Sequence, residues 1–477
     1  MIQEYEANIG IEVHVQLNTD SKLFCASDNA VTERPNSHIC PVCSGYPGVL
    51  PVFNKKVLDF AIMAGIATNS TIHEHSEFAR KHYFYPDLPA GYQISQHDKP
   101  ICTEGFVTIH QKDASEKKIR LIRIHIEEDA GKNLHAPNTN ESFVDLNRAG
   151  TPLLEIVSYP DISSSEEVRR YLKTLRNIVM YLGITTGNME EGAFRADTNV
   201  SVRKRGTTKL GTRCELKNIN SFKFIADAVE YEIARQVDLL DQGKLVRQET
   251  RSWDTKEHKT VPLRTKEEAA DYRYFADPNL PIIKVAPKHI EEIRATLPEL
   301  PDAKARRLAS TYNLSPYEIE ILINDAALCD YFEDATTHTS SKALINWVLR
   351  DLLKLIKDQK ITPAAAKITP QYLGELLELI EKGTINSRTA QELFGQSATT
   401  GKSPQQLVRE QGLEQVSSPE ELGSIIKEII AANPQQTEQY KAGKEKLFGF
   451  FVGAVMKKTQ GKGNPQLINE LLKKHLS

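Results

Sequence analysis

A chain of 477 residues has room for about three domains and a sizeable core, so it needs no disulfide staples. Its formal net charge of −3, with 26% charged and 40% hydrophobic residues, excludes a wholly basic nucleic-acid binder and leaves any such role to a local patch. The opening MIQEYEANIG carries no leader pattern, the apolar run at 447–456 is far too short for a bilayer, and six cysteines in this length point to a reducing cytosol rather than a disulfide framework.

In chain order, residues 9–17 (IGIEVHVQL) come first, with Ile9, Ile11, Val13, Val15 and Leu17 on one face of a strand and Glu12, His14 and Gln16 on the other. Cys25 with Cys40 and Cys43 makes a CxxC knuckle with a third thiolate, a zinc-site pattern in which Ser27 stands where a fourth cysteine is wanted and His38 is the nearest alternative. Residues 78–87 (FARKHYFYPD) and 91–96 (GYQISQ) interleave Arg80 and Lys81 with aromatics. That composition suits stacking on a nucleotide or RNA end, or the anchoring of a long loop. Residues 121–132 (LIRIHIEEDAGK) alternate again, Ile122, Ile124 and Ile126 against Leu121, Arg123, His125 and Glu127. The plain alternative there is a strand edge facing water. Residues 195–203 (RADTNVSVR) and 213–217 (RCELK) repeat the design, with Glu190 and Glu191 supplied by the preceding loop.

Pro278, Pro281 and Pro287 punctuate the end of this β-rich region. Helical three- and four-residue spacing then takes over to 394, residues 395–403 (GQSATTGKS) read as a short polar linker, and Ser418 opens a last helical module with a capping box. The expected fold is therefore α+β and multidomain: a β-rich, cradle-like catalytic domain over 1–290, a helical domain over 291–400 and a small helical tail domain over 401–477.

At least four strands share one plan, apolar on one face and Glu, Asp, His, Asn and Arg on the other. Carboxylates with an imidazole suit a hard cation such as Mg²⁺, and interleaved cations suit phosphate oxygens, so the shared face describes a Mg–nucleotide site. Arg80, Tyr85, Asp87 and Arg203 are the expected nucleotide contacts. The sequence holds no GxxxxGK[ST] and no GxGxxG after a strand, which argues against a P-loop or Rossmann site.

Residues 9–17, 80–87 (RKHYFYPD), 92–96 (YQISQ), 125–132 (HIEEDAGK), 144–153 (VDLNRAGTPL), 190–192 (EEG), 215–222 (ELKNINSF), 271–275 (DYRYF), 452–457 (VGAVMK) and 463–465 (GNP) carry a resemblance that runs from end to end. Together they resemble the B subunits of the heterotrimeric Glu-tRNA(Gln)/Asp-tRNA(Asn) amidotransferases. The resemblance implies that ATP activates the side-chain carboxylate of a misacylated glutamate or aspartate and that ammonia then attacks the acyl phosphate. It implies that Glu12, His14, Glu127, Glu190, Asp197 and Glu215 are Mg²⁺ or active-site ligands, and that Lys81 and Glu127 stand at an ammonia gate. It also implies an A subunit that makes the ammonia and a small C subunit, since no amidase or glutaminase signature is present here. Metal-binding members carry four cysteines in the knuckle, and this chain offers three, which puts zinc in doubt. Residues 435–477 hold eight lysines and three glutamates, with Lys457, Lys458 and Lys462 beside the GNP turn, the expected grip on tRNA phosphates. Two other classes stay open: a non-catalytic tRNA-binding scaffold and a metal-dependent hydrolase.

Overall fold

The computed structural model describes residues 4–113, 115–135, 141–265, 271–413, 419–459 and 463–476. It divides into two compact units, Met1–Lys304 and Ala305–Ser477. The chain is an α+β multidomain protein, sheet-rich in the first unit and helical in the second.

The strands that build the first unit's site are, in chain order, β1 (Tyr5–Gln16), β2 (Thr71–Ile72), β3 (Ala79–His82), β4 (Tyr92–Ser95), β5 (Cys102–Thr103), β6 (Phe106–His110), β7 (Glu116–Glu128), β8 (Pro152–Ser158), β9 (Phe194–Lys204), β10 (Cys214–Leu216), β11 (Glu249–Asp254) and β12 (Lys259–Thr265). Ten of them form one sheet in the order β12-β11-β10-β9-β1-β8-β7-β5-β2, with β6 paired to β7. β3 and β4 form a separate hairpin extended by Phe275–Ala276. β1 lies near the middle because both its neighbours arrive antiparallel from far away in sequence.

The alternation anticipated in β1 is present: Ile9, Ile11, Val13 and Val15 are buried to 1% exposure or less. They share one core with helices α1 (Lys55–Ala67), α2 (Ser165–Tyr181), α3 (Phe222–Asp241) and α4 (Pro287–Ala295). α2 starts where Ser164 accepts from the backbone N–H of Glu167, and Glu166 and Glu167 in its first turn suit the positive end of the helix.

β7 departs from the expected faces. Strict alternation groups Leu121 with the polar residues, yet it is fully buried and Ile122 is the half-buried one. A β-bulge explains this: the β7–β8 register slips between Val157, which opposes Arg123, and Ser158, which opposes Leu121. One extra residue on a strand turns the following side chains to the other face. Nor is β7 an edge facing water, since β8 and β5 flank it and His125 and Glu127 are only 3% exposed.

In the second unit one core joins the helices from Pro316–Ile323 to Pro404–Gln411. The expected linker at 395–403 is mostly helix here, because Ser387–Thr400 is continuous and buries Ser397 and Ala398. Only Gly401, left-handed at φ 74°, then Lys402 and the cap Ser403 separate it from the next helix. A second small core gathers Leu422, Ile426, Phe451, Val455, Ile468 and Leu472 from Pro419–Ala432, Phe448–Lys458 and Pro465–Leu476. The cap expected at Ser418 lies outside the described residues. Among the described residues no helix is long and apolar enough to cross a membrane.

A buried ionic net ties α3 to β11 and β12. Glu232 and Gln236 are fully buried. Arg235 Nη2 donates to Glu232 Oε1 at 2.7 Å, Thr260 Oγ1 to Glu232 Oε2 at 3.1 Å, and Arg251 Nη1 to Glu249 Oε1 at 2.6 Å. Burial alone would raise the Glu232 pKa, but Arg235, Gln236 and Arg251 outweigh it and hold the carboxyl below its ordinary value. A depressed carboxyl contributes stability above its unfolded pKa, near 4.5, that is lost as pH falls through the folded value. Glu232→Gln is therefore expected to cost about 3 kcal/mol at neutral pH by stranding buried guanidiniums. The gap to wild type should narrow below pH 4.5, as urea unfolding across pH would read; a pH-independent gap counts against the charge role.

Candidate active site

Residues directly opposite each other in antiparallel strands share a face. The register therefore lays His125 of β7, Glu155 of β8, His14 of β1 and Arg195 of β9 in one row across four strands. The next row along β1 places Glu12 opposite Asp197. Polar side chains that are distant in sequence become neighbours through backbone pairing alone.

Two groups of ligand atoms form on this face, each with its atoms within 4.8 Å of one another: His14, Glu127 and Glu155, and Glu12, Asp197 and Glu215. In the first, His14 Nε2 lies 3.6 Å from Glu127 Oε1 and 3.3 Å from Glu155 Oε2. His125 Nε2 is 3.4 Å from both carboxylates, and Ser95 Oγ of β4 donates to Glu127 Oε2 at 3.1 Å. Burial would lower the His125 pKa, but Glu155 and Glu127 outweigh it and push it up to about 9. The reciprocal effect holds Glu155 well below the ordinary carboxyl range against its burial.

Lys81 of β3 belongs with this group. Its ammonium sits 4.9 Å from the Tyr272 ring centroid and 5.8 Å from that of Tyr83. Burial works against its charge, while Glu127, Tyr274 and Glu155 raise its pKa overall.

In the second group, Lys217 Nζ lies 2.6 Å from Asp197 Oδ2 and 3.2 Å from Glu215 Oε1. Asn199 Nδ2 donates to Glu12 Oε1 at 3.0 Å and Thr250 Oγ1 to Glu215 Oε2 at 2.9 Å, so each carboxylate has a fixed hydrogen-bond donor. Burial first, then Glu155, raises the Glu12 pKa. At the end of β1, Asp129 Oδ2 accepts from Arg195 Nη2 at 2.7 Å and Gln16 Nε2 at 3.0 Å, with Arg148 Nε 3.5 Å away.

Other anticipated residues lie elsewhere. Glu190 is exposed on the turn before β9 and belongs to neither group. Arg80 is committed to Asp277 at 2.7 Å and lies over the Tyr92 ring at 4.1 Å, tying the hairpin to its neighbouring strand. Arg203 pairs with Glu6 at 2.6 Å, six residues along β9 from Asp197, which is about 20 Å at strand rise. Tyr85 is exposed, and the Asp87 backbone carbonyl holds the 83–91 loop by accepting from the Gly131 N–H at 2.9 Å.

Cys25, Cys40 and Cys43 do converge within 4.8 Å. The fully buried Lys22 places Nζ 3.6 Å from Cys43 Sγ, and Ser27 Oγ is 3.7 Å from the same sulfur. The hydrogen bond from Cys25 and the Lys22 charge hold the Cys43 thiol well below its ordinary pKa. His38 turns its Nδ1 to the Ala30 carbonyl, 3.0 Å away. Lys457 and Lys458 are exposed, Lys458 paired with Glu428, while Lys462 lies outside the described residues.

Sequence reading passed over Glu155. β8 (PLLEIVS) is buried at every position and shows no alternation, so it reads as plain core. The available signal was the lone carboxylate in that run, since an unpaired buried charge is too costly to be incidental.

Residues 7–291 match the family described as the GatB/GatE catalytic domain, and residues 330–476 match the GatB domain. The chain belongs to this family. The B subunit of the Myxococcus xanthus aspartyl/glutamyl-tRNA(Asn/Gln) amidotransferase is 48% identical over 476 residues, covering 100% of this chain and 99% of the relative. The Persephonella marina protein of that name is 49% identical over 475 residues (99% and 100%), and that of Geotalea daltonii 50% over 477 (99% of each). Both ligand groups and Lys81 fall inside the segment matched to the GatB/GatE catalytic domain, and Lys457 and Lys458 inside the GatB domain.

The charge coupling of the first group is testable without catalysis. In Glu155→Gln, the His125 ring should titrate about one pH unit or more below its wild-type midpoint, read by histidine NMR of metal-free protein. An unmoved midpoint would disprove the coupling.

Proposed function

We propose that this chain uses ATP to activate the side-chain carboxylate of misacylated Glu-tRNA(Gln) or Asp-tRNA(Asn) and amidates it with ammonia, giving Gln-tRNA(Gln) or Asn-tRNA(Asn). The observation that carries the reading is the pair of ligand groups side by side on one largely buried sheet face, with Lys81 facing the first. Carboxylate oxygens with one imidazole are a donor set suited to Mg²⁺. His14, Glu127 and Glu155 would hold one ion, and Glu12, Asp197 and Glu215 a second. Bound Mg²⁺ supplies the positive charge that lets an anionic carboxylate approach an anionic phosphate.

The chain's own residues do the positioning. Ser95 and His125 fix Glu127, while Asn199 and Thr250 fix Glu12 and Glu215. Lys81 and Glu127 form the ammonia gate, where a carboxylate beside an ammonium can pass protons as ammonia enters. Tyr85 and Asp87 contact the nucleotide from their loop. Arg80 and Arg203 are the other proposed nucleotide contacts, each reaching phosphate oxygens only by leaving its carboxylate partner, Asp277 or Glu6.

The relatives are named as the B component of an amidotransferase. This chain accordingly works in the cytoplasm with a glutaminase A subunit and a small C subunit. Its tail lysines Lys457, Lys458 and Lys462 take the tRNA backbone. A structural zinc fits the knuckle poorly: three thiols leave a four-coordinate site open, and Lys22 already supplies a counter-charge. The reaction needs no zinc. A non-catalytic tRNA scaffold would have no use for several carboxylates buried together, an arrangement that weakens a fold unless it does chemistry.

In the assembled complex, Glu127→Gln should lower amidation about a hundredfold or more while glutaminase activity of the partner persists. Undiminished Gln-tRNA formation would sink the assignment. Replacing Lys457 and Lys458 together by alanine should raise KM for tRNA, leave KM for ATP alone and flatten the salt dependence by about two counterions. An unchanged tRNA KM removes the tail from the binding surface.

A further inference from the structure

Lys217 is neither a metal ligand nor part of the ammonia gate, yet it occupies a telling place. Its ammonium bridges Asp197 Oδ2 at 2.6 Å and Glu215 Oε1 at 3.2 Å, two members of the second ligand group. A Mg²⁺ held by the same carboxylates would compete with that ammonium for their negative charge, and two cations on shared carboxylates repel.

We propose that Lys217 is the built-in counter-ion of the second group, and that a divalent ion enters only by displacing its ammonium from Asp197 and Glu215. The inference rests on the metal-dependent reading of this face. Three further features support it. The Lys217 side chain is 30% exposed whereas Glu215 is 9% exposed, so the lysine has solvent to swing into and the carboxylate does not. Its four-carbon stem is flexible and its charge a compact point, unlike the rigid fork of arginine. Thr250 donates to Glu215 Oε2, the oxygen Lys217 does not bridge, and Asn199 donates to Glu12, so these two carboxylates keep a hydrogen bond when the lysine leaves.

Among the described residues no ammonium or guanidinium bridges the first group's carboxylates directly: the imidazoles of His14 and His125 face them and Lys81 acts from farther off, so an ion there need not expel a lysine. The two positions should therefore differ in affinity, the second being weakened by an ammonium that bridges its carboxylates directly. The freed ammonium would then point at the open side of the sheet, where phosphoryl oxygens of the nucleotide arrive, and contribute one more positive charge to them.

The test counts Mn²⁺ as a paramagnetic stand-in for Mg²⁺, by EPR of free ion in titrations of the intact complex. Wild type is expected to bind one ion tightly and a second more weakly. Lys217→Met keeps the stem and removes the charge, and should tighten the second ion about tenfold. Lys217→Arg keeps the charge and should hold the second ion at wild-type affinity or weaker. Wild type binding no Mn²⁺ would overturn the metal-dependent reading itself. Wild type binding two ions with Lys217→Met giving the same isotherm would overturn only the role of Lys217. Should Lys217→Met fail to fold, a tighter second ion in Lys217→Arg overturns the proposal on its own.

Discussion

The structure depends on a compromise in electrostatics at the centre of its largest sheet. Backbone pairing across β7, β8, β1 and β9 forces Glu155, His14 and Arg195 into one row and Glu12 against Asp197 in the next. Glu127 and Glu155 are then buried within reach of the same imidazoles. Carboxylates gathered out of water repel one another and lose hydration, so each needs a cation or a donor of its own. His14, His125, Lys81 and Lys217 provide the charge, and Ser95, Asn199 and Thr250 the hydrogen bonds.

That arrangement explains why the rest of the first unit is built as it is. Helices α1 to α3 bury the opposite face of β1, and that close packing supports the side chains on the polar face. The β3–β4 hairpin brings Lys81 and Ser95 to the polar face, and Arg80 with Asp277 pins it to the loop that carries Tyr272. The Glu232–Arg251–Glu249 net locks β11, and with it Thr250, beside Glu215. Residues remote from the carboxylates thus act on them through the backbone.

A cluster satisfied internally by lysine and histidine is also one from which a divalent ion must displace something. Two neighbouring groups with different ligand sets and different resident cations are electrostatically unequal.

The sequence alone determined the faces of β1, β9 and β10 and of β7 beyond its bulge, because strand alternation is a property of consecutive residues and is written locally. It therefore singled out Glu12, His14, Glu127, Asp197 and Glu215 as members of polar faces, and the GatB motifs carried the family. Only the tertiary structure decided which face residues meet. Glu155 hides in a run buried on both sides, Leu121 is turned inward by a bulge set by its partner strand, and Arg80 and Arg203 are taken by Asp277 and Glu6, each nearly two hundred residues away. The helix through Thr400 likewise depends on a core its own polar letters do not announce. The physical reason is common to all of these: register, bulges and ion pairing are set by segments distant along the chain, and no local pattern encodes the distance between two strands until they are paired.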